Sequence, residues 1–220
     1  MILKPTSREE WLKLRQKQGI GGSEAGCVLG VNKYKSNVQL WEEKTGRYIT
    51  EDISDKPAVK FGKFAEGPLR ELFKQDYPQY KVDYHEFYMY CNDICPFIFA
   101  TLDGELTDEK GRRGILEIKT TTIQNPNQWD DWETADHEPK LPESYYTQLL
   151  HQLAATGWDF AVLKVYIRYY RDGVLRAAIR HYFIEREEVK DDIAFLISEE
   201  QRFMECVRQD KRPPQILPEI

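Results

Sequence analysis

The sequence predicts a mixed α/β (α+β) fold in which helices flank one central mixed sheet. Two observations predict it: helical periodicity dominates residues 1–78, and alternating, aromatic segments fill residues 79–185. A long amphipathic pattern and a proline-containing tail occupy residues 186–220. Because 220 residues with 41% hydrophobic content can bury a sizeable core, we predict one domain, residues 1–220, built from these three parts.

Four helices are predicted before the sheet. The first begins with a capping box, since Glu10 follows Ser7 by three residues. A glycine-rich turn precedes a short second helix, for which Ser23 is the predicted N-cap. Gly46 ends the third helix, and the fourth spans residues 59–78. Some apolar side chains of the fourth helix are expected to face the core: Phe64, Leu69, Leu72 and Phe73.

Three strands, a helix and a hairpin are predicted next. Residues 80–90 alternate and are aromatic, which suits a strand. Residues 97–106 and 114–122 are predicted as two further strands joined by a polar loop. Gly157 ends the helix that follows, and the turn Arg171–Gly173 separates the two long strands of the hairpin. The order of elements therefore places the strands in the middle of the chain.

The charge is acidic overall but unevenly distributed. A net charge of -6 argues against a passive nucleic-acid coat, but it does not exclude an enzyme that acts on DNA. Residues 1–48 carry nine basic and five acidic side chains, and residues 160–182 carry five and one. Residues 126–143 carry six acids and a single Lys. The basic hairpin either follows DNA phosphates or is simply a solvated face.

The cysteines and the absence of an apolar leader indicate the compartment. The sequence contains no CxxC pattern and no long apolar run. We therefore expect a soluble, intracellular protein with reduced thiols and no membrane segment. The four cysteines are Cys27, Cys91, Cys95 and Cys206.

Charged side chains interrupt the apolar strand that contains Leu116-Glu117-Ile118-Lys119. Since strand residues alternate faces, Glu117 and Lys119 share one face and Ile118 points to the other. Burying a charge there is costly unless it is paired, and Asp103 lies near the end of the neighbouring strand. Two carboxylates can hold Mg²⁺, and a Lys beside them suits metal-assisted hydrolysis of a phosphodiester. The residues alone leave a second interpretation open, a surface hairpin with a Glu–Lys pair.

The same residues resemble a known superfamily. Leu102-Asp103 and Glu117-Ile118-Lys119 are similar to the Asp and Glu-x-Lys of the PD-(D/E)XK nucleases, with Leu102 in place of the usual Pro. The segments EWLKLRQKQGIGGSEAGCVLG, FGKFAEGPLRELF and YYTQLLHQLAATG resemble, in order, motifs of the lambda-exonuclease (YqaJ-type viral recombinase) family. The resemblance spans residues 10–185 and implies a restriction-endonuclease-like core.

The resemblance also implies a catalytic role for particular side chains. Asp103 and Glu117 would be metal ligands, helped by the main-chain carbonyl of Ile118. Lys119 would activate the attacking water. Glu66 would lie on its helix beside the metal as a ligand or as a group that orients water. The implied cofactor is Mg²⁺, with Mn²⁺ as an alternative, and two ions are expected.

The resemblance implies a phosphate pocket as well. Gln148 would hold the nucleophilic water or the scissile phosphate. Arg15 and Ser23 would bind a terminal 5′-phosphate, and Lys17 is the alternative to Arg15 because the spacing to Ser23 is one residue longer than in the lambda enzyme. A helix His such as His151 is more often structural than catalytic.

The implied function is a 5′-to-3′ exonuclease that digests one strand of linear double-stranded DNA and leaves a 3′ single strand. The resemblance implies a ring-shaped homotrimer, a single-strand-annealing recombinase as partner, and a phage or prophage protein in the bacterial cytoplasm. Three alternatives remain: an iron–sulfur nuclease, a structure-specific endonuclease, and a non-catalytic DNA-binding module. The iron–sulfur alternative needs three late cysteines, and only Cys206 follows the active-site motifs.

Overall fold

The computed structural model describes residues 1–49 and 51–216, with residues 16–18 described by their backbone alone. Its helices are α1 (Arg8–Gln18), α2 (Gly22–Val28), α3 (Asn37–Lys44), α4 (Pro57–Asp76), α5 (Glu143–Thr156) and α6 (Lys190–Arg208), with a 3₁₀ helix over Pro126–Asp131. Its strands are β1 (Ile2–Leu3), β2 (Ile20–Gly21), β3 (Lys81–Asp83), β4 (Met89–Cys91), β5 (Ile98–Ala100), β6 (Gly104–Thr107), β7 (Arg113–Ile123), β8 (Phe160–Arg171) and β9 (Val174–Glu185).

A five-stranded sheet in the order β3-β6-β7-β8-β9 forms the centre of the fold. Strands β7 and β8 run parallel, and the other neighbours run antiparallel, so the predicted mixed sheet is confirmed. Helix α5 packs on one face and α4 on the other. Both faces of β7 and β8 are therefore buried, which explains their nearly continuous apolar sequences.

A second, four-stranded sheet in the order β1-β4-β5-β2 was not predicted. The two segments predicted as strands over 80–90 and 97–106 each divide into two short strands that belong to different sheets. The first divides where Phe87 adopts a positive φ of 68°. An alternating pattern can continue across such a turn, so the pattern alone does not reveal it. The second division places Thr101-Leu102-Asp103 at the crossover from the small sheet to the large one.

The N-terminal helices follow their predicted boundaries, with one correction. Ser7 caps α1, since its Oγ accepts a hydrogen bond from the Glu10 N–H at 3.2 Å. The prediction that Ser23 caps α2 is wrong: Gly21 is the N-cap, and Ser23 is the second residue inside the helix. The extended backbone of Gly21, which continues β2, brings the start of the helix two residues forward.

Helix α4 passes through Gly67 and Pro68 without a break. Leu69 and Phe73 are buried as predicted, but Phe64 is 77% exposed and Leu72 is 40% exposed. The buried residues of α4 recur every four positions, beginning at Ala65, so this helix rests on the sheet along one narrow stripe. Phe64 and Leu72 lie outside that stripe.

The C-terminal half confirms the hairpin and the last helix. Asp172 and Gly173 both have positive φ, 53° and 72°, which is typical of a two-residue hairpin turn. Helix α6 packs against α5, α2 and α3 and so closes one side of the molecule. Within the described ranges, none of the helices combines the length and apolar character that crossing a membrane requires.

Candidate active site

A cleft of about 180 Å³ brings together the residues that the sequence assigns to a site. Helices α1, α2, α4 and α5 and strand β7 all contribute to it. Its lining comprises Arg15, Gly21, Gly22, Ser23, Glu66, Phe99, Thr101, Asp103, Glu117, Ile118, Lys119, Gln148 and Gln152. The side chain of Lys17, the alternative to Arg15, lies outside the described residues. The predicted set is thus assembled from distant parts of the chain into one site.

Glu117 is the buried centre of the cleft and receives three donors. Its Oε1 accepts hydrogen bonds from Lys119 Nζ at 2.6 Å and from Gln148 Nε2 at 2.5 Å. Its Oε2 accepts one from Gln152 Nε2 at 2.5 Å. Only 4% of Glu117 is exposed, and these donors replace the water that the carboxylate loses on burial. The prediction that Glu117 and Lys119 share a face of β7 is confirmed.

Asp103 lies directly before β6, at the crossover between the sheets. Its Oδ2 accepts a hydrogen bond from the Ile118 N–H at 2.8 Å, and its carbonyl accepts one from Arg70 at 2.6 Å. Burial and the nearby charge of Glu117 raise the pKa of Asp103 well above its ordinary value, although Lys119 opposes the shift. Burial is the larger cause of this shift, and repulsion between the two carboxylates adds to it.

The neighbouring carboxylates also shift the pKa values of Glu66 and Lys119. Burial, with the charge of Glu117, raises the pKa of Glu66. Burial alone disfavours the Lys119 ammonium, but the charges of Glu117 and Asp103 overcome that effect and raise its pKa. Lys119 is therefore an ammonium in this arrangement, suited to donating hydrogen bonds and to stabilising a phosphate. It becomes a better proton acceptor only when the carboxylate charges are neutralised.

Divalent cations suit this cleft. Asp103, Glu117 and Glu66 supply the hard oxygen donors that Mg²⁺ and Mn²⁺ prefer. Burial, and after it the charge of Glu117, raises the pKa values of Asp103 and Glu66, and a bound cation would oppose both effects. Among the described residues, no group of three or more His, Cys, Asp or Glu side chains is already arranged to hold a metal ion. The carboxylates of the cleft would therefore hold a metal ion only together with further oxygen ligands, such as water or a substrate phosphate.

A cation and a hydroxyl form the other end of the cleft. Arg15 Nη2 donates to Ser23 Oγ at 3.1 Å, and the Arg15 guanidinium lies 5.3 Å from the centre of the Trp11 ring. Glu24, which the sequence analysis missed, accepts hydrogen bonds from the Gly21 N–H at 2.9 Å and from Lys44. Burial would raise the pKa of Glu24, but the charges of Lys44 and Arg15 outweigh it and lower that pKa.

Close packing between α2 and α5 joins the two ends of the cleft. A Cβ atom on Gly22 would lie 3.3 Å from Gln148 Cγ and 3.5 Å from Gln152 Cγ. The absence of a side chain at Gly22 therefore allows α2 to approach the two amide side chains directly. Sequence reasoning identified Gln148 but missed Gln152, although the spacing of four residues on a helix places both on one face.

A larger groove of about 500 Å³ adjoins the cleft. The two share Ser23, Lys119 and Gln148, so the groove opens from the candidate site. Its walls carry two further lysines and three aromatic side chains: Lys33, Lys140, Tyr34, Trp132 and Tyr145. Cations and aromatic rings together suit a nucleic-acid strand.

The remaining polar candidates have structural roles. His151 is fully buried, with Nδ1 2.6 Å from Glu200 Oε1 and Nε2 2.9 Å from the Phe99 carbonyl. It therefore connects α5, α6 and β5 instead of facing the cleft. The cysteines are divided among separate parts of the core and do not converge on one point: Cys27 and Cys206 in one cluster, Cys91 in another and Cys95 in a third. Their placement gives no support to the iron–sulfur alternative.

Comparison with known proteins agrees with this geometry. A family model for the YqaJ-like viral recombinase domain matches residues 10–159, a range that contains every residue of the cleft. A Bacillus subtilis (strain 168) protein, described as uncharacterized protein YqaJ, is 34% identical over 159 residues. That match covers 70% of this chain but only 44% of the relative, so the chain spans less than half of that protein.

Solved structures show the same fold. The alkaline exonuclease LHK-Exo from Laribacter hongkongensis superposes with a TM-score of 0.63 at 20% identity, over 92% of this chain and 93% of that one. LHK-Exo in complex with dAMP gives a TM-score of 0.61 at 21% identity, with the same coverage. At this identity the likeness concerns the fold, and it confirms the predicted α/β class. Since the family model covers well over half of the chain, the chain belongs to the YqaJ-like viral recombinase domain family.

Proposed function

We propose that the chain is a metal-dependent deoxyribonuclease that removes nucleotides from the 5′ end of one strand of linear double-stranded DNA. One observation carries the proposal: Arg15 and Ser23 line the same small cleft as Asp103, Glu117 and Lys119. A guanidinium with a hydroxyl suits a terminal phosphate, and carboxylates with a Lys suit cleavage of the next phosphodiester. The name of the fold neighbour, an alkaline exonuclease, supports the same activity.

Two Mg²⁺ ions, or Mn²⁺ in their place, are the proposed cofactor. Asp103, Glu117 and the Ile118 carbonyl would hold them, with Glu66 as a further ligand or as a group that orients water. When bound, such ions supply Lewis-acid activation of the attacking water and of the scissile phosphate.

The chain's own side chains would orient the reactants. The Lys119 ammonium would donate to a non-bridging phosphate oxygen, and with metal ions held by the carboxylates it would also help to activate the attacking water. The Gln148 amide, which contacts Glu117 in this structure, is within the same cleft and holds the water or the phosphate. Arg15 would bind the terminal phosphate, with Ser23 beside it.

The products and partners follow from this polarity. Digestion of one strand leaves a 3′ single-stranded overhang, which is the substrate for a single-strand-annealing recombinase.

We also propose a ring-shaped homotrimer and a phage or prophage origin, with action in the bacterial cytoplasm. The description of the family as a viral recombinase domain supports the role in recombination and the phage origin. Exposed apolar side chains at the tip of the β8–β9 hairpin, which include Tyr170, Val174 and Leu175, offer a surface for subunit contact.

Digestion of linear duplex DNA that carries a 5′-phosphate at one end tests the proposal. With Mg²⁺, we expect shortening from the phosphorylated end by the intact protein and none by Lys119→Ala. Lys110→Ala is the matched control, because Lys110 is an exposed residue of the β6–β7 loop outside the cleft. Retention of DNA without digestion would instead indicate a binding module. Cleavage of covalently closed circles would indicate an endonuclease.

A further inference from the structure

We propose that Gln152 is a positioning residue that holds Glu117 by its Oε2 and thereby presents Oε1 to the metal. The inference rests on the proposed nuclease function and adds a residue to it. It comes from the arrangement of donors around one carboxylate and from the burial of the amide that supplies one of them.

The two oxygens of Glu117 have different partners. Oε1 contacts Lys119 and Gln148, both of which have a second task with phosphate or water in the proposed reaction. Oε2 contacts Gln152 at 2.5 Å, and among the described residues this amide has no other hydrogen-bond partner in the cleft. When Lys119 and Gln148 turn to the substrate, the contact with Gln152 remains and keeps the carboxylate in one orientation.

The burial of Gln152 indicates that its amide does more than fill space in the core. Gln152 is 1% exposed, and its Oε1 has no hydrogen-bond partner within the part of the chain that the structure describes. An unpaired buried acceptor lowers the stability of the folded protein. An apolar side chain of the same length would fill the space without that cost, so the retained amide donor is best explained by its bond to Glu117.

Packing fixes the amide in place. The Cβ position of Gly22 lies 3.5 Å from Gln152 Cγ, so the backbone of α2 lies directly over this side chain. A group that is held by packing on one side and bonded to a carboxylate on the other orients that carboxylate for one-oxygen coordination. Partners of this kind, when removed, typically weaken metal binding by about 10–100-fold.

Manganese binding in the absence of DNA tests the inference. We expect Gln152→Met, which keeps the length but removes the donor, to raise the Mn²⁺ dissociation constant by about 10–100-fold in electron paramagnetic resonance titrations. Binding of 5′-phosphorylated DNA ends in EDTA should be unchanged, and excess Mn²⁺ should restore digestion. Gln201→Met is the matched control, because the Gln201 amide lies on α6 and donates to Cys95 Sγ, away from the cleft.

Several outcomes would overturn the inference. If folded Gln152→Met binds Mn²⁺ as the intact protein does, then Gln152 only packs. Should that variant not fold, Gln152→Asn keeps an amide but withdraws it by one methylene, and it must show the same weakened Mn²⁺ binding. If the intact protein binds Mn²⁺ and digests DNA, a negative result concerns Gln152 alone. If the intact protein does neither, the proposed function and this inference both fall.

Discussion

Lys119 Nζ lies 2.6 Å from Glu117 Oε1, so two side chains that flank Ile118 on β7 form an ion pair at the floor of the cleft. Lys119→Met removes the ammonium and keeps most of the apolar stem. We expect kcat to fall by about 10²–10⁴-fold, as for other groups that take part in proton transfer, with little change in the affinity for DNA ends. Single-turnover digestion and filter binding in EDTA separate the two effects. Loss of end binding to the same extent as kcat would contradict a catalytic role.

The bond between Arg15 and Ser23 predicts recognition of the terminal phosphate. Arg15→Gln should slow digestion of 5′-phosphorylated ends by about 10–100-fold, because a hydrogen bond to a charged group contributes roughly 1.5–3 kcal/mol. Digestion of 5′-hydroxyl ends should change little. The matched control is Arg8→Gln, on the exposed side of the same helix. Equal loss on both kinds of end would show that Arg15 serves the fold instead of the phosphate.

Asp103 predicts opposite effects on stability and activity. Because its pKa is raised, the metal-free folded protein binds this proton more tightly than the unfolded chain does, and stability falls as pH rises above the ordinary value of 3.8. Asp103→Asn removes the repulsion from Glu117, so it should raise the unfolding temperature of the metal-free protein at pH 8. A gain of 1 kcal/mol corresponds to about 2–4 °C in a chain of this size. The same variant should lose both digestion and stabilisation by Mg²⁺.

A second aspartate supplies the contrasting control. Asp108 has a lowered pKa: burial opposes the shift, but hydrogen bonds from Arg112 and Lys110 outweigh it. Asp108→Asn should therefore lower the unfolding temperature at pH 8 and leave digestion intact. Differential scanning calorimetry of the two variants, with and without Mg²⁺, compares them directly. The same sign for both would contradict the account of Asp103.

The carboxylates also predict how metal affinity depends on pH. Since Asp103 and Glu66 have raised pKa values, protons compete with Mg²⁺ for them as pH falls. Apparent Mg²⁺ affinity should therefore weaken toward acid, and the optimum for digestion should be alkaline. Calorimetric titration at several pH values should show proton release on binding. Affinity that is constant from mildly acid to alkaline pH would contradict the raised values.

His151 is expected to act on stability and not on chemistry. Burial disfavours its charged form, but Glu200 raises the pKa of His151, so its stabilising proton is fully bound below the ordinary value of 6.5 and is lost as pH rises through the higher folded value. His151→Gln leaves the charge of Glu200 buried, which costs about 3–5 kcal/mol of unfolding free energy. The double variant with Glu200→Gln should recover part of it. Chemical denaturation measures both, and digestion per folded molecule should stay unchanged.

Local features of the site could be predicted from the sequence. The alternation of β7 predicts that Glu117 and Lys119 share a face, and the motif resemblance identifies Arg15, Ser23, Glu66 and Gln148 as members of the site. These predictions depend on short segments whose geometry is set by neighbouring residues.

The parts that were missed depend on contacts between distant segments. The contact of Gln152 with Glu117 exists only because α5 lies against β7. The contact of Glu24 with Lys44 likewise exists only because α3 lies beside α2. The alternating pattern over residues 80–90 continues across a turn, so it does not show that the two halves of this segment belong to different sheets. The exposure of Phe64 likewise depends on how narrowly α4 contacts the sheet.

The crossover at Thr101-Leu102-Asp103 divides the candidate site between the two sheets. Strand β2, which leads into Ser23 on α2, pairs with β5 in the small sheet, while Glu117 and Lys119 belong to the large sheet. In the proposed exonuclease, the separation of the two sheets would therefore set the distance from the bound end to the bond that is cut. A substitution that widens this separation would change the length of the released product without changing the chemical groups.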